Sequence, residues 1–207
     1  VITISGEYGC GNKEVGEFLA DITGYKLCDD EIVTEAMKDF GIDTESSTFR
    51  YYDEHQGTAP IKDVIEVSKH QRSAIKRLQY DVTPLDMRMD NAMREAQKKL
   101  ADEGNCILFG RCSNYYLRGR DDVISFFFAD TEEAKIARIM KRLNLDEKEA
   151  EKMIKKTDKR RADYYSYFTG EKWADPDSFD AYCQASTLGD EGWAKAIAEM
   201  IKVKEGK

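Results

Sequence analysis

Residues 1–14 read VITISGEYGCGNKE, and this stretch decides the fold. A short apolar run gives way to a turn that contains Gly6, Gly9 and Gly11, and a helical pattern of apolar residues follows at 15–22. A strand, a glycine-rich loop and a helix in this order direct several backbone N–H groups and a helix N-terminus at one anion. Glycine suits such a loop because a Cβ would block positive φ angles and the close approach of a phosphate.

The loop nearly matches the phosphate-binding pattern G-x-x-x-x-G-K-[ST]. Asn12 stands at the lysine position, Lys13 follows one residue later, and Glu14 lies near the position of the magnesium-binding hydroxyl. The helix dipole disfavours a cation such as Lys13 at a helix N-terminus unless an anion is bound there. Lys13 is therefore a candidate phosphate ligand, and the alternative is an exposed lysine in the first helical turn.

Length and charge limit the classes of function. The 207 residues suffice for one domain with a substantial core and a mobile insert. The 40 acidic and 32 basic side chains give a net charge of −8, which argues against a nucleic-acid partner but is compatible with a local basic pocket for a phosphorylated small molecule. No apolar run approaches the ~20 residues of a membrane helix, and the first residues lack the layout of a secretion signal.

The five cysteines predict neither a disulfide framework nor a zinc site, because their number is odd and no C-x-x-C pair exists. A reducing compartment, the cytoplasm, is therefore expected. Cys10 lies inside the glycine loop, and a helix N-terminus can lower a thiol pKa enough to make it reactive. The interpretation favoured for Cys10 is a small residue in a tight turn.

Strand-like apolar runs alternate with helical patterns along the chain. The strands are predicted at 1–4, 25–28, 106–109, 123–128 and 181–183. The helices are predicted at 15–22, 31–40, 61–79, 84–102, 131–143, 147–165 and from 190 or 191 to 203. This alternation indicates an α/β fold, a parallel sheet covered by helices on both faces. In such sheets the ligand lies beyond the carboxyl ends of the strands.

Candidate ligand-binding residues follow two of these strands. One of Asp29 and Asp30 is expected to cap the next helix, and the other could hold a magnesium-bound water or a substrate hydroxyl; capping by itself is the alternative. Arg111, in Gly110-Arg111, follows the third predicted strand, where a guanidinium can grip a phosphate or a base edge with two hydrogen bonds. Its alternative is a surface arginine that opens the next helix.

The densest cationic cluster lies on the helix predicted at 147–165. It consists of Lys152, Lys155, Lys156, Lys159, Arg160 and Arg161. Such crowding destabilises a helix unless an anion approaches, and in phosphoryl transfer that anion is the transferring group. The alternative is a solvated helix whose cations are neutralised by the neighbouring acids Glu147, Glu149, Glu151 and Asp158.

Together these stretches resemble the cytidylate kinase-like family, a branch of the P-loop nucleoside monophosphate kinases. The matching segments are ISGEYGCGNKEVG (4–16), YKLCDDEIVTEA (25–36), YYDEH (51–55), NCILFGRCSNYYL (105–117), KKTDKRRADYYSYFTGEKW (155–173) and SFDAYCQASTLGDEG (178–192). They occur in the family's order over nearly the whole chain. The resemblance implies a doubly wound parallel sheet, ATP as phosphoryl donor, Mg²⁺, and a nucleoside monophosphate as acceptor.

The resemblance also assigns roles to segments and residues. It implies an acceptor-binding insert at about 41–90 and a lid at about 143–170. By motif, the residues that would hold ATP are Gly6, Gly9, Cys10, Gly11, Asn12, Lys13 and Glu14. The catalytic cations would be Lys13, Arg160 and Arg161, and the substrate would contact Asp29, Asp30 and Arg111. The chain departs from the family at two further positions, with Glu35 near the place of an acceptor-binding arginine and Phe109 in place of an aspartate.

The sequence therefore predicts a single P-loop kinase-like domain over residues 1–207, with a five-stranded parallel sheet, helices on both faces and a helical lid. Its expected activity is ATP-dependent phosphoryl transfer to a nucleoside monophosphate, in the cytoplasm and with no membrane partner. One alternative is a kinase for another small phosphate acceptor. The other, favoured by Glu14 and Phe109, is a nucleotide-binding protein without turnover that acts as a sensor or partner. The metal ligands and the oligomeric state are left open.

Overall fold

The computed structural model describes residues 1–29, 32 and 85–206, with the backbone alone for residues 85–89. Asp30, the helices predicted at 31–40 and 61–79, and nearly all of the predicted insert lie outside the described residues. The chain divides into two compact units, one formed by residues 1–27 and 103–207 and the other by residues 28–102. One domain with an inserted segment stays a prediction.

Five strands form a parallel sheet in the order β2-β3-β1-β4-β5. They are β1 (Ile2–Gly6), β2 (Lys26–Cys28), β3 (Cys106–Phe109), β4 (Ile124–Ala129) and β5 (Ala181–Gln184). The central strand β1 pairs Ile2 with Ile107 of β3 and with Ile124 of β4. The predicted fold class is confirmed, and each predicted strand is present with ends within two residues of the predicted ones.

Six helices are present in the part of the chain that the structure describes. They are α1 (Asn12–Thr23), α2 (Leu85–Glu103), α3 (Ser113–Tyr116), α4 (Glu132–Leu143), α5 (Glu147–Thr169) and α6 (Gly189–Lys204). The side chain of Thr131 caps α4 by accepting a hydrogen bond from the N–H of Ala134, and Asp146 and Glu149 form a capping box at the start of α5. None of these helices combines the length and apolar character that crossing a bilayer demands.

The core of the first unit lies on both faces of β4, because successive side chains of a strand point to opposite sides. Phe126 and Phe128 are fully buried in a cluster with apolar residues of α1 and α6. Phe127, also fully buried, contacts Trp173 and Phe179 on the other face, with ring centroids 5.4 and 5.1 Å away. The sheet is thus covered on both sides, as the continuous apolar run in β4 predicts.

Helix α5 occupies most of the range predicted as a lid and is anchored at both ends. Near its start, Ala150 and Ile154 pack against Ile139 of α4. In its C-terminal half, the hydroxyl of Tyr165 accepts a hydrogen bond from Nδ2 of Asn114 at 3.0 Å. The middle of α5 is thereby held next to the end of β1, where the glycine loop begins.

In the unit formed by residues 28–102, the described part is mainly α2. Its buried apolar side chains recur at helical spacing, at Ala92, Met93, Ala96, Leu100 and Ala101. This periodicity makes α2 an amphipathic helix with one continuous apolar face, and its bounds agree with the helix predicted at 84–102.

Candidate functional site

The glycine loop connects β1 to α1 at the carboxyl edge of the sheet. Its first residue, Gly6, is packed so closely that a Cβ there would lie 2.7 Å from the carbonyl oxygen of Phe128. The N–H of Glu7 donates to that same carbonyl at 2.9 Å. Where the chain leaves β1, the first residues of the loop are therefore held against β4.

Helix α1 begins at Asn12, and its N-cap residue, Gly11, provides no side-chain cap. Gly11 has a φ of 94°, and a Cβ there would lie 2.6 Å from Oδ1 of Asp190 and 2.7 Å from Cζ of Arg138. The first N–H groups of an α-helix have no acceptor within the helix, and together with the helix dipole they attract anions. The geometry at the start of α1 thus suits an external anion such as a phosphate.

The three residues that depart from the motif occupy the first turn of α1. Lys13 is exposed. Asn12 is half-buried, and its Oδ1 accepts a hydrogen bond from the thiol of Cys10 at 3.6 Å. Oε1 of Glu14 lies 3.8 Å from Nη1 of Arg138. The residue at the position of the magnesium-binding hydroxyl therefore faces an arginine.

The thiol of Cys10 is unreactive in this fold. Cys10 is completely buried, and burial raises the pKa of its thiol to about 12. The thiol is therefore protonated at neutral pH, whereas the thiolate is the nucleophile. The reactive alternative for Cys10 is wrong, and the interpretation as a small residue in a tight turn is supported. Only its main chain is available to a ligand in the loop.

One face of α4 carries three basic residues toward the loop, and the motifs of the sequence do not include them. Lys135, Arg138 and Arg142 are spaced by three and four residues and so share a helical face. Nζ of Lys135 lies 2.7 Å from Oε2 of Glu7, and Cζ of Arg142 lies 5.1 Å from the ring centroid of Tyr8. The spacing of these three basic residues on a predicted helix is the sequence pattern that could have indicated a basic face next to the loop.

Arg138 makes the best-formed ion pair at the start of α1. Its Nη1 and Nη2 donate to the two carboxylate oxygens of Asp190 at 2.7 and 2.9 Å. These hydrogen bonds raise the pKa of Arg138 above its ordinary value. Asp190 lies in the first turn of α6, and the guanidinium would touch any Cβ at Gly11. The pair therefore connects α4 with α6 and lies against the N-cap residue of α1.

Helix α5 contacts the loop backbone through two side chains. Oδ1 of Asp158 accepts a hydrogen bond from the N–H of Tyr8 at 2.7 Å. Nη1 of Arg161 donates to the carbonyl oxygen of Gly6 at 2.8 Å. Arg161, predicted to contact the transferring phosphate, thus binds a loop carbonyl here, and its catalytic role stays a prediction. Arg160, the neighbouring residue, is half-buried.

Two lysines of the cationic cluster pair with acids of their own helix. Lys155 pairs with Glu151, and Nζ of Lys159 lies 3.1 Å from Oδ2 of Asp163. Both pairs are exposed and span four residues, which is the favourable spacing on a helix. For these two residues the alternative of a solvated, internally neutralised helix is supported, and the charge next to the loop comes instead from Arg161 and from α4.

Arg111 follows β3 at the same edge of the sheet as the loop. The N–H of Gly110 donates to the carbonyl of Ile4 at 2.9 Å, so the chain is still attached to β1 at that point. Arg111 and Cys112 have positive φ angles of 52° and 60°, and this sharp turn is stabilised by the hydroxyl of Ser113, which donates to the carbonyl of Gly110 at 2.5 Å. The structure thus brings Arg111 to the predicted edge; its contact with a substrate stays a prediction.

The carboxylates predicted for a hydroxyl or a metal are only partly described. Asp29 follows β2 and is half-buried, whereas Asp30 lies outside the described residues. Within the described ranges, no group of three His, Cys, Asp or Glu side chains could hold a metal ion. Mg²⁺ is often held by one or two carboxylates together with substrate phosphates. The carboxylate of Glu14 in the first turn of α1 fits that kind of site.

Comparison with known proteins agrees with this geometry. The sequence model of the cytidylate kinase-like family matches residues 1–187. A solved structure of an uncharacterized protein from Eubacterium ventriosum is 25% identical with a TM-score of 0.63, and the match covers 100% of this chain and 98% of that one. No curated protein gives a significant match.

Two shikimate kinases share the fold at low sequence identity. The enzyme from Bacteroides thetaiotaomicron is 11% identical with a TM-score of 0.53, and the match covers 97% of each chain. The enzyme from Acinetobacter baumannii, solved in complex with shikimate, is 13% identical with a TM-score of 0.52, over 100% of this chain and 94% of that one. The predicted P-loop kinase fold and the predicted family resemblance are both confirmed.

Proposed function

This chain belongs to the cytidylate kinase-like family, and on that basis we propose that it transfers a phosphoryl group from ATP to a nucleoside monophosphate. The observation that carries the proposal is the uncapped start of α1, where the loop turns through Gly11 into the helix. The first N–H groups of that helix have no acceptor within it. A polyphosphate is the ligand that such a loop accommodates best.

The loop backbone would hold the ATP phosphates through its N–H groups, and Cys10 would contribute its main chain only. The glycines at 6, 9 and 11 let the loop pack closely against β4, against α4 and against the Arg138–Asp190 pair. Lys13 and the side chain of Asn12 would add donors in the first turn of α1. Arg138 lies against the same turn and would lower the repulsion between the phosphates and the carboxylates of Glu14 and Asp190. Mg²⁺ would neutralise phosphate charge next to Glu14.

Catalysis would depend on positioning and on cations near the transferring group. Arg161 already donates to the loop carbonyl of Gly6, so a change in its side-chain conformation would bring its guanidinium to a phosphate in the loop, and Arg160 is proposed as the second arginine on the basis of the family motif. Arg161 would first exchange its bond to the carbonyl of Gly6 for one to the phosphate. Lys13 would approach from the opposite side, at the start of α1.

The acceptor would lie beyond β3, where Arg111 can bind its phosphate or its base. Asp29 and Asp30 stay candidate substrate ligands on the basis of the sequence. A nucleoside monophosphate is the acceptor class that the family resemblance favours. The five free, buried cysteines support the cytoplasm as the compartment, since reduced thiols persist there.

A second candidate function is nucleotide binding without turnover. The specific observation in its favour is the position of Glu14, which faces Arg138 at 3.8 Å where a kinase of the usual motif has a hydroxyl. A carboxylate there adds negative charge beside the phosphates and binds Mg²⁺ differently from a neutral hydroxyl. The remaining alternative is a kinase for another small phosphate acceptor. It differs from the main proposal only in the group that Arg111 would bind.

One set of measurements separates these possibilities. ATP binding is measured by calorimetry with and without Mg²⁺, and ADP release is measured with CMP, UMP, AMP, GMP and shikimate as acceptors. ADP release that depends on a monophosphate supports the main proposal, and release that depends only on shikimate supports the other acceptor class. ATP binding without any acceptor-dependent ADP supports the binding protein. Absence of ATP binding at millimolar concentration overturns all three.

A further inference from the structure

Tyr8 joins the glycine loop to the rest of the first unit through its backbone, its hydroxyl and its ring. Its N–H donates to Oδ1 of Asp158 at 2.7 Å, and its hydroxyl lies 3.8 Å from Sδ of Met153. Its ring is flanked by two guanidinium groups, with Cζ of Arg142 at 5.1 Å and Cζ of Arg161 at 5.5 Å from the centroid. Both distances are within the range of a cation–π interaction.

These contacts join the loop to two helices at once. Arg142 is near the end of α4, whereas Asp158 and Arg161 lie in the middle of α5, three residues apart and so on the same face. Arg161 also donates to the carbonyl of Gly6 at 2.8 Å. Helix α5 therefore holds the loop backbone on both sides of Glu7. Asp158 accepts a hydrogen bond from the N–H of Tyr8, and Arg161 donates one to the carbonyl of Gly6.

The charges around this junction are balanced. Asp158 faces the cations Arg161 and Lys135 and the carboxylate of Glu7. Burial lowers the pKa of Lys135, but the hydrogen bond to Glu7 together with the attraction of the Glu7 and Asp158 carboxylates outweighs burial and raises the pKa overall, so Lys135 stays charged. These charges interact more strongly in a partly buried place than in water, and they lie together only while the loop and α5 keep this arrangement. For Asp158, burial nevertheless outweighs the two cations and raises the pKa of its carboxyl group.

We propose that Tyr8 is a positioning residue that couples the glycine loop to α5, so that the phosphate-binding loop and the basic helix respond to a ligand as one body. The inference rests on the proposed function for its effect on ATP, because the loop is the site where ATP would bind. The alternative is that the ring of Tyr8 only fills space between α4 and α5.

The test compares side chains that keep or remove the aromatic ring. Tyr8→Phe keeps the ring and the backbone N–H, whereas Tyr8→Leu keeps a similar apolar bulk and the N–H but has no π-system. Tyr167→Leu serves as the control, because Tyr167 lies on α5 but is 65% exposed. Amide hydrogen exchange of the free protein reports the coupling without any ligand.

We expect Tyr8→Leu to exchange at least about fivefold faster both in residues 6–12 and in residues 153–161, with Tyr8→Phe and Tyr167→Leu within about twofold of wild type. Unchanged exchange in 153–161, or faster exchange in Tyr8→Phe equal to that in Tyr8→Leu, overturns the proposal. If Tyr8→Leu does not fold, Arg161→Gln and Arg161→Lys give the same comparison from the α5 side: the Gln variant must raise exchange in 6–12 more than the Lys variant.

ATP binding gives the second readout. Tyr8→Leu is expected to weaken ATP binding about tenfold and Tyr8→Phe less than about twofold, because only the former releases both guanidinium groups. Equal affinities for the two variants count against the coupling. If wild-type protein does not bind ATP, the proposed function fails, whereas the exchange measurements still decide whether Tyr8 couples the loop to α5.

Discussion

Arg138 and Asp190 form a two-pronged ion pair at the place that a Cβ of Gly11 would occupy, with N–O distances of 2.7 and 2.9 Å. The pair connects α4 with the start of α6 and leaves no room for a side chain at the N-cap residue of α1. The geometry of the anion site is therefore determined by residues more than a hundred positions away from the loop, and the following predictions depend on that arrangement.

The substitution Gly11→Ala is expected to lower the free energy of unfolding by about 3 kcal/mol, because the new Cβ combines a disfavoured positive φ with a steric clash. The control is Gly170→Ala, where φ is 72° and a Cβ would have open space within 4 Å, so that about 1 kcal/mol is expected from conformation alone. Urea denaturation of both variants measures the difference. Equal losses of unfolding free energy in the two variants would show that the Arg138–Asp190 pair moves away from the new Cβ at no cost in free energy.

The substitution Arg138→Gln is expected to weaken ATP binding about tenfold or more, because Glu14 and Asp190 would then face the phosphates without a cation between them. Arg118→Gln is the matched control: Arg118 also binds a carboxylate, that of Glu171, with two hydrogen bonds at 2.8 Å. Calorimetry with ATP compares the two. If both substitutions weaken ATP binding by the same small factor, Arg138 is not part of the candidate site.

Lys13→Ala and Arg160→Ala are expected to affect different steps. Loss of Lys13 should weaken ATP binding about tenfold, whereas loss of Arg160 should lower kcat about 100-fold with less than about a threefold change in KM for ATP. Lys195→Ala, an exposed lysine paired with Glu191 on α6, is the control for loss of one positive charge. Unchanged ATP affinity in Lys13→Ala would contradict the assignment of the loop.

The pH dependence of stability should carry the signature of Asp158. Burial raises the pKa of this carboxyl group to about 6 from an ordinary value of 3.8. The folded state therefore takes up a proton that the unfolded state does not, and stability rises as the pH falls from 7 to 5. Relative to Asp158→Asn, wild-type protein should gain about 1 kcal/mol over that interval.

Denaturation of wild-type protein and Asp158→Asn at both pH values measures this gain. Asp163→Asn, an exposed position on the same helix, corrects for general effects of removing a carboxylate from α5. A constant difference between wild type and Asp158→Asn at pH 7 and pH 5 would mean that Asp158 titrates in its ordinary range.

The sheet could be predicted from the sequence because most of its strands are short apolar runs bounded by glycine or polar residues. The run at 106–109 lies between Asn105 and Gly110, and its predicted bounds are those of β3. The glycine loop could be located equally well, since its three glycines lie close together in the chain, although its conformation also depends on distant residues such as Phe128 and Arg138. Local patterns thus sufficed for the fold and for the location of the glycine loop, whereas ATP binding there stays a prediction.

The contacts around the loop could not be predicted in this way. Asp158 is 150 residues from Tyr8 in sequence, and nothing in the helical pattern of α5 distinguishes an acid that neutralises neighbouring lysines from one that accepts a loop N–H. Arg161 was singled out from the sequence as a candidate catalytic cation, which stays a prediction; its observed partner, the carbonyl of Gly6, is a main-chain atom that no sequence motif reveals. The spacing of Lys135 and its neighbours on α4 becomes meaningful only with the loop beside it.

All five cysteine side chains are buried as free thiols, and this has a practical consequence for handling the protein. Alkylating reagents and oxidants can reach the sulfur atoms only when the protein unfolds locally or globally, so the rate of thiol modification reports the rate of that unfolding. A preparation that ages without reductant should lose material through aggregates linked by disulfides between unfolded molecules. The molecules that stay folded should keep all five thiols, which can be titrated after denaturation.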